Sequence, residues 1–204
     1  SGDDTFVISA TGEGDGDTYD GKGGSNSLQL SAGTHTLTTD NNVKNITTIL
    51  AHSDGSSLDL STQSESFTIT GNTGGDVLKG GNAADIITGG GDNDTLEGGS
   101  GNDTFKVDSG SDIINDLGGS SGGDDDVLIV SASATATANN IIDFEAASTT
   151  KNAGTANLNS KSGVSTTINM SAAGVSKGYS ITGNSGIDTL TGSSYSDIIL
   201  GGTN

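Results

Sequence analysis

The sequence predicts an all-β fold, a right-handed parallel β-roll or β-helix in which short strands stack in coils. Three observations support this prediction: a nine-residue repeat, many turn-forming residues and few apolar ones. Leu, Ile, Val and Phe account for only 41 of the 204 residues, whereas the chain has 34 Gly and a formal net charge of −19. This composition lies at the border where chains fail to fold unaided, so a conventional hydrophobic core is not expected.

The composition also excludes several classes of protein. The chain has no Cys, which rules out a disulfide scaffold, and no apolar run approaches the length of a transmembrane helix. Seven Lys and Arg residues stand against 26 Asp and Glu residues. This balance argues against nucleic acid as a partner and against insertion into or binding to an anionic membrane.

The nine-residue repeat is clearest in the middle of the chain. Four blocks follow one another without a gap over residues 71–106: GNTGGDVLK, GGNAADIIT, GGGDNDTLE and GGSGNDTFK. Each block has Asp at its sixth place and a large apolar residue at its eighth. The sixth-place residues are Asp76, Asp85, Asp94 and Asp103.

Other parts of the chain carry weaker copies of this block. A degenerate fifth block, VDSGSDIIN, starts at residue 107 and keeps Asp112 at the sixth place. Two further blocks, GNSGIDTLT and GSSYSDIIL, cover residues 183–200 and contain Asp188 and Asp197. A weaker pair spans residues 12–29, with Asn26 in place of the second Asp.

The block pattern resembles the RTX nonapeptide, GGxGxDxUx, in which U is a large apolar residue. The physical interpretation of this repeat is a parallel β-roll. Six Gly, Asn and Asp residues form a tight turn, and the next three form a short strand whose middle residue points inward. Two blocks complete one coil, so each sixth-place Asp is expected to stack on the Asp eighteen residues further along.

Stacked carboxylates need a cation between them. The expected pairs are Asp76 with Asp94, Asp85 with Asp103, and Asp94 with Asp112. Two carboxylates a few ångströms apart repel each other by several kcal/mol at the intermediate dielectric of a protein surface. Oxygen ligands without Cys or His select a hard cation, and flexible turns favour Ca²⁺ over Mg²⁺.

The resemblance implies the ligands of three calcium sites. In each site one turn supplies carbonyl oxygens from its second and fourth places, the other from its first and third, and both supply their Asp. The first site would use Asn72, Gly74, Asp76, Gly89, Gly91 and Asp94. The second would use Gly81, Ala83, Asp85, Gly98, Ser100 and Asp103. The third would use Gly90, Asp92, Asp94, Val107, Ser109 and Asp112, although Val107 departs from the motif. Asp188 and Asp197 are expected to form half-sites.

A longer repeat surrounds the nonapeptides. SGDDTF at residue 1 returns as SGNDTF at residue 100, and ITGNTGGDVLKG at residue 69 returns as ITGNSGIDTLTG at residue 181. We therefore expect two tandem units, residues 1–99 and 100–204, within one continuous solenoid. The Thr- and Ser-rich stretches between nonapeptides are expected to be strands. NNVKNITTIL and NNIIDFEAAS fit either strand or a turn of helix, and residues 118–123 and 151–154 are expected to be surface loops.

No catalytic pattern is present in the sequence. The two histidines, His35 and His52, lie in polar stretches, and there is no HExxH motif. The chain is therefore predicted not to be an enzyme.

The expected function is that of a calcium-dependent structural module of a secreted bacterial surface protein, and export by type I secretion is implied by the resemblance. A surface-layer lattice is favoured, with self-association into an array and a cell-surface glycan or lipopolysaccharide as a further candidate partner. The alternatives are the repeat region of an adhesin, or the C-terminal domain of a type I-secreted toxin, protease or lipase.

Overall fold

The computed structural model describes residues 2–10, 16–37, 39–40, 42–119, 124–174 and 177–203. Within these ranges the regular secondary structure consists of 22 short strands and no helix. Both segments for which helix and strand were open alternatives contain strands. Within the same ranges, therefore, no helix could span a membrane. The predicted all-β class is confirmed.

Most strands belong to two long sheets. Sheet 1 contains, in spatial order, β1 (Thr5–Val7), β3 (Ser27–Gln29), β6 (Thr48–Leu50), β8 (Thr68–Asn72), β10 (Ile86–Gly90), β12 (Thr104–Val107), β14 (Val127–Val130) and β17 (Lys151–Asn152). Sheet 2 contains β4 (Gly33–Thr36), β7 (Ser56–Asp59), β9 (Val77–Lys79), β11 (Thr95–Glu97), β13 (Ser111–Ile114), β15 (Thr135–Ile141), β18 (Thr155–Ser160), β20 (Ser180–Thr182) and β22 (Ile198–Leu200).

Two small sheets complete the strands. One contains β16 (Asp143–Glu145), β19 (Thr167–Asn169) and β21 (Thr189–Thr191), and the other contains β2 (Tyr19–Asp20) and β5 (Val43–Lys44).

The strand pairing makes the molecule a parallel solenoid of about nine coils. Consecutive strands from β6 to β15 alternate between sheets 1 and 2, so one coil consists of two strands and the two turns that join them. In the first three nonapeptide blocks each strand pairs in parallel with the strand eighteen residues further on, as Val77 does with Thr95 and Ile86 with Thr104. The predicted coil of two blocks is therefore present.

The core is a narrow column between the two sheets. The eighth-place residues of the five central blocks are fully buried: Leu78, Ile87, Leu96, Phe105 and Ile114. Because each of these blocks supplies only one large apolar side chain to the column, the fold tolerates the low apolar content of the chain.

One of the two predicted loops is wrong. Residues 151–154 contain β17, and Gly154 is buried under the preceding coil. A Cβ atom at Gly154 would lie less than 3.0 Å from the carbonyl oxygens of Ser131 and Ala134, so glycine is required by close packing. In the other loop, residues 118 and 119 lie outside strands, and residues 120–123 lie outside the described residues.

Sheet pairing continues across the predicted boundary between the two tandem units. β10 pairs with β12, and β11 pairs with β13, on either side of residue 99.

Candidate metal centres

Five sixth-place aspartates and Asp126 form two columns of stacked side chains, one next to each long sheet. Ladder 1 consists of Asp76, Asp94 and Asp112 and leads into strands of sheet 2. Ladder 2 consists of Asp85, Asp103 and Asp126 and leads into strands of sheet 1. All six side chains are buried, with no more than 2% of any residue exposed.

Ladder 1 is held by hydrogen bonds between coils. The backbone N–H of Asp76 donates to Asp94 Oδ1 at 2.8 Å, and that of Asp94 donates to Asp112 Oδ1 at 3.1 Å. The N–H of Ser56 donates in the same way to Asp76 Oδ1 at 2.5 Å. One oxygen of each carboxylate is therefore fixed by the backbone of the preceding coil.

The second carboxylate oxygens of ladder 1 lack partners. Oδ2 of Asp76, of Asp94 and of Asp112 is buried and accepts no hydrogen bond from the described residues. An unsatisfied buried polar group costs about 1–3 kcal/mol, and more when it is charged. These three atoms are therefore suited to a positively charged ligand.

Glycine at the first place of each block makes room for these oxygens. A Cβ atom at Gly71 would lie 2.8 Å from Asp76 Oδ2. At Gly89 it would lie less than 3.0 Å from Asp94 Oδ2 and 2.8 Å from Asp112 Oδ2, so both carboxylates converge on one glycine. In the degenerate fifth block this place is taken by Val107, which is fully buried.

Ladder 2 has the same stacking but a different second oxygen. The N–H of Asp85 donates to Asp103 Oδ1 at 2.7 Å, and that of Asp103 donates to Asp126 Oδ1 at 2.8 Å. However, Asp85 Oδ2 accepts from the N–H of Gly81 at 2.8 Å, and Asp126 Oδ2 accepts from that of Gly118 at 2.7 Å. Backbone donors thus satisfy these two Oδ2 atoms, in contrast to ladder 1.

Asp126 was not identified from the sequence. It stacks on Asp103 at a distance of 23 residues along the chain instead of 18, and it lies outside the nonapeptide blocks. A usable signal was present, because Asp126 precedes the buried Leu128 by two residues, as Asp103 precedes Phe105.

Burial makes the ladder carboxylates weak acids. Loss of solvation raises the pKa of Asp76 to about 6, that of Asp112 to about 7 and that of Asp103 to about 8. Neighbouring carboxylates raise these values further, as Asp94 does for Asp76, while the backbone hydrogen bonds oppose the shift. Both ladders therefore resist ionisation unless a cation is close by.

Comparison with protein-family models identifies the repeat to which these turns belong. The model of the RTX calcium-binding nonapeptide repeat matches residues 70–105 and 182–203, in four copies. These segments are RTX repeats. Proteins of this family bind Ca²⁺, the predicted cofactor, and the repeats form structural rather than catalytic modules. No match was found among curated proteins or solved structures.

The turns predicted to form each site stack on adjacent coils. The carbonyl of Asn72 accepts from the N–H of Gly91 at 2.6 Å, and the carbonyl of Gly81 accepts from the N–H of Ser100 at 3.0 Å. Gly74 and Asp92 have left-handed backbones, with φ of 99° and 65°.

In the third predicted site, two groups of the turns make hydrogen bonds to neighbouring coils. The Val107 carbonyl accepts from the N–H of Ser131 at 2.9 Å, while Ser109 Oγ donates to the Gly90 carbonyl at 3.0 Å.

Asp188 and Asp197 each face a coil that offers no second carboxylate at the aligned place. Asp188 lies over Thr166, and both of its carboxylate oxygens are buried without a hydrogen-bond partner. Asp197 lies over Tyr179, whose N–H donates to Asp197 Oδ1 at 2.7 Å.

The described residues contain no cluster of three or more His, Cys, Asp or Glu side chains with metal-binding geometry. The RTX turns instead offer two carboxylates and several carbonyl oxygens, which is a donor set suited to Ca²⁺.

Proposed function

We propose that Ca²⁺ held between stacked RTX turns drives the folding of this chain, which serves as a structural module of a secreted bacterial surface protein. The observation that carries the proposal is the set of three buried, unpartnered Oδ2 atoms in ladder 1, which face glycines with no Cβ. The ligands would be those of the three predicted sites, with Asp94 shared between two of them.

The energetic argument is linkage between ion binding and folding. Stacked turns exist only in the folded chain, so an ion bound there stabilises the folded state over the unfolded one. When bound, Ca²⁺ supplies the positive charge that lets adjacent carboxylates ionise together. Without an ion, repulsion between ionised carboxylates on adjacent coils opposes the folded state.

The surface role is a further part of the proposal. RTX proteins are typically exported by type I secretion, which supports an extracellular location. Two tandem units, residues 1–99 and 100–204, favour an array, and a surface-layer lattice with self-association is the form we propose. A cell-surface glycan or lipopolysaccharide is its proposed anchor.

Far-UV circular dichroism with and without calcium tests the folding role. We expect the β signal to fall in EDTA and to recover on addition of Ca²⁺, with Mg²⁺ much less effective. A β signal that EDTA leaves unchanged would rule out calcium-driven folding.

Electron microscopy tests the lattice. Calcium should convert the purified protein into sheets or filaments that EDTA dissolves. Soluble monomers at every calcium concentration would contradict the surface-layer role and leave calcium-driven folding intact.

A further inference from the structure

Buried amide side chains bridge neighbouring coils on the N-terminal side of the ladders. Asn26, Asn42 and Gln63 are each no more than 2% exposed, and the side-chain nitrogen of each donates to a backbone carbonyl of another coil. We call these three side chains the amide clamps.

Asn26 lies at the sixth place of its block and has the geometry of a ladder aspartate. Its Oδ1 accepts from the backbone N–H of Asp4 at 2.9 Å, as Asp103 Oδ1 accepts from Asp85. A Cβ atom at Gly21, the first place of the block, would lie less than 3.0 Å from Asn26 Nδ2. Asn26 Nδ2 therefore occupies the place that Oδ2 occupies in a ladder aspartate.

The chemistry at that place is reversed. Asn26 Nδ2 donates to the carbonyl oxygen of Asn45, in the following coil, at 2.8 Å. An amide is both donor and acceptor and carries no charge. Asn26 thus joins three successive coils by direct hydrogen bonds, whereas a carboxylate at this place would face the Asn45 carbonyl with a second oxygen and would need a cation.

The other two clamps also donate directly to backbone carbonyls, whereas the amide oxygen of Gln63 is buried and accepts no hydrogen bond from the described residues. Gln63 Nε2 donates to the carbonyls of Leu37 at 2.9 Å and Thr39 at 2.8 Å, and Asn42 Nδ2 donates to the carbonyl of Asp17. Residues 17–63 are therefore linked from coil to coil without any of the ladder carboxylates.

On the C-terminal side the ladder 1 position lacks a carboxylate in the next coils, until Asp197 takes it up again. Ladder 1 is followed by Ala136 and Ala156, both buried, which pair in register with Asp112 and with each other. The amide of Asn152 Nδ2 donates to the Gly178 carbonyl at 2.7 Å across this region.

We propose that calcium controls the coils that carry the ladders, residues 71–126, and that side-chain amides hold the coils of residues 17–63 independently of metal. This inference rests on the proposed calcium-driven folding and limits it to one part of the solenoid. Removal of Ca²⁺ would open the ladder coils while residues 17–63 stay folded.

Peptide-resolved hydrogen exchange in Ca²⁺ and in EDTA tests the inference on the whole chain. The inter-coil N–H groups of Leu30 and Ala51 should stay protected in both conditions, whereas those of Thr95 and Ile113 should lose protection in EDTA. Loss of protection in residues 17–63 at the same calcium concentration as in residues 71–126 would overturn this inference alone. Exchange that calcium changes nowhere would overturn the proposed function as well.

Asn26→Asp makes the test specific. This substitution replaces the amide by a carboxylate that lies against the backbone N–H of Asp4 in the preceding coil. Hydrogen exchange of residues 26–51 should therefore become calcium-sensitive. In EDTA we expect hydrogen exchange of these residues to be faster than in the unsubstituted protein by about tenfold or more, because the new carboxylate would be buried without a partner. Gln29→Glu is the matched control, because Gln29 lies on β3, the strand that follows Asn26, but is exposed, and the substitution adds the same charge. Equal calcium sensitivity in both variants would overturn the role of Asn26.

Discussion

The backbone N–H of Asp76 donates to Asp94 Oδ1 across eighteen residues of sequence, and Asp94 repeats the same bond to Asp112. Asp94 is therefore the member of ladder 1 that has a carboxylate on both adjacent coils. Asp76 has one such neighbour, since the preceding coil offers Ser56 at the aligned place.

Asp94→Ala should impair calcium-driven folding more than Asp76→Ala, because Asp94 belongs to two proposed sites and Asp76 to one. A calcium titration followed by far-UV circular dichroism should give a higher midpoint for Asp94→Ala. Equal midpoints would contradict the shared site.

Gly89→Ala should destabilise the folded protein by about 1–3 kcal/mol, the usual cost of overpacking. The new methyl group would collide with the Oδ2 atoms of Asp94 and Asp112. Gly91→Ala is the control, because its nearest atom, the Asn72 carbonyl oxygen, is 3.6 Å away. Urea unfolding in Ca²⁺ measures both, and similar losses for the two variants would refute the steric argument.

The metal-free protein should become less stable as pH rises from 5 to 9. The pKa values of Asp76, Asp112 and Asp103 are raised to about 6, 7 and 8, chiefly by burial, so the folded state holds protons that the unfolded state releases. That contribution is present at low pH and is lost as pH passes through these values.

Urea midpoints in EDTA measure this trend, and Asp103→Asn is its control. The variant keeps an oxygen for the N–H of Asp85 but cannot ionise, so its midpoint should fall less with pH. A wild-type midpoint that rises over the same interval would be the contrary result.

Ile114→Ala should cost about 2–5 kcal/mol of stability in Ca²⁺, as expected for a large-to-small change in a core. Ile114 is fully buried, whereas its neighbour Ile113 is 42% exposed. Ile113→Ala should therefore change stability by no more than about 0.5 kcal/mol. Denaturant unfolding of the two variants tests whether the eighth place of the repeat points inward. Equal losses of stability in the two variants would exclude that orientation.

The central coils could be predicted because the repeat sets both the length of a coil and the alternation of inward and outward side chains within each strand. Leu78 pairs in register with Leu96, and both are buried, whereas the next residues, Lys79 and Glu97, are partly exposed. The repeat therefore fixes which side chains point inward. The stacking of Asp76 on Asp94 follows from the same phase. The ligand roles of individual carbonyls stay predictions.

Outside the repeats, composition was a weaker guide. Residues 151–154 have the composition of a loop, yet the Asn152 amide and the missing Cβ of Gly154 suit a closely packed strand and turn. The position of Asn26 was visible in its block, but its bond to the Asn45 carbonyl depends on a coil that has no repeat signal. Asp126 was missed because an insertion changed the spacing.

The hydrogen bonds that join one coil to the next in the two ladders all have the same direction, and this gives the solenoid a polarity. In each bond the backbone N–H belongs to the earlier coil and the carboxylate to the later one, from Ser56 to Asp112 and from Phe67 to Asp126. The two ends of a stack are therefore chemically different, as are the ends of a polar filament. Cutting coils from the C-terminal side leaves an N–H donor without its acceptor, whereas cutting from the N-terminal side exposes a carboxylate that water can solvate.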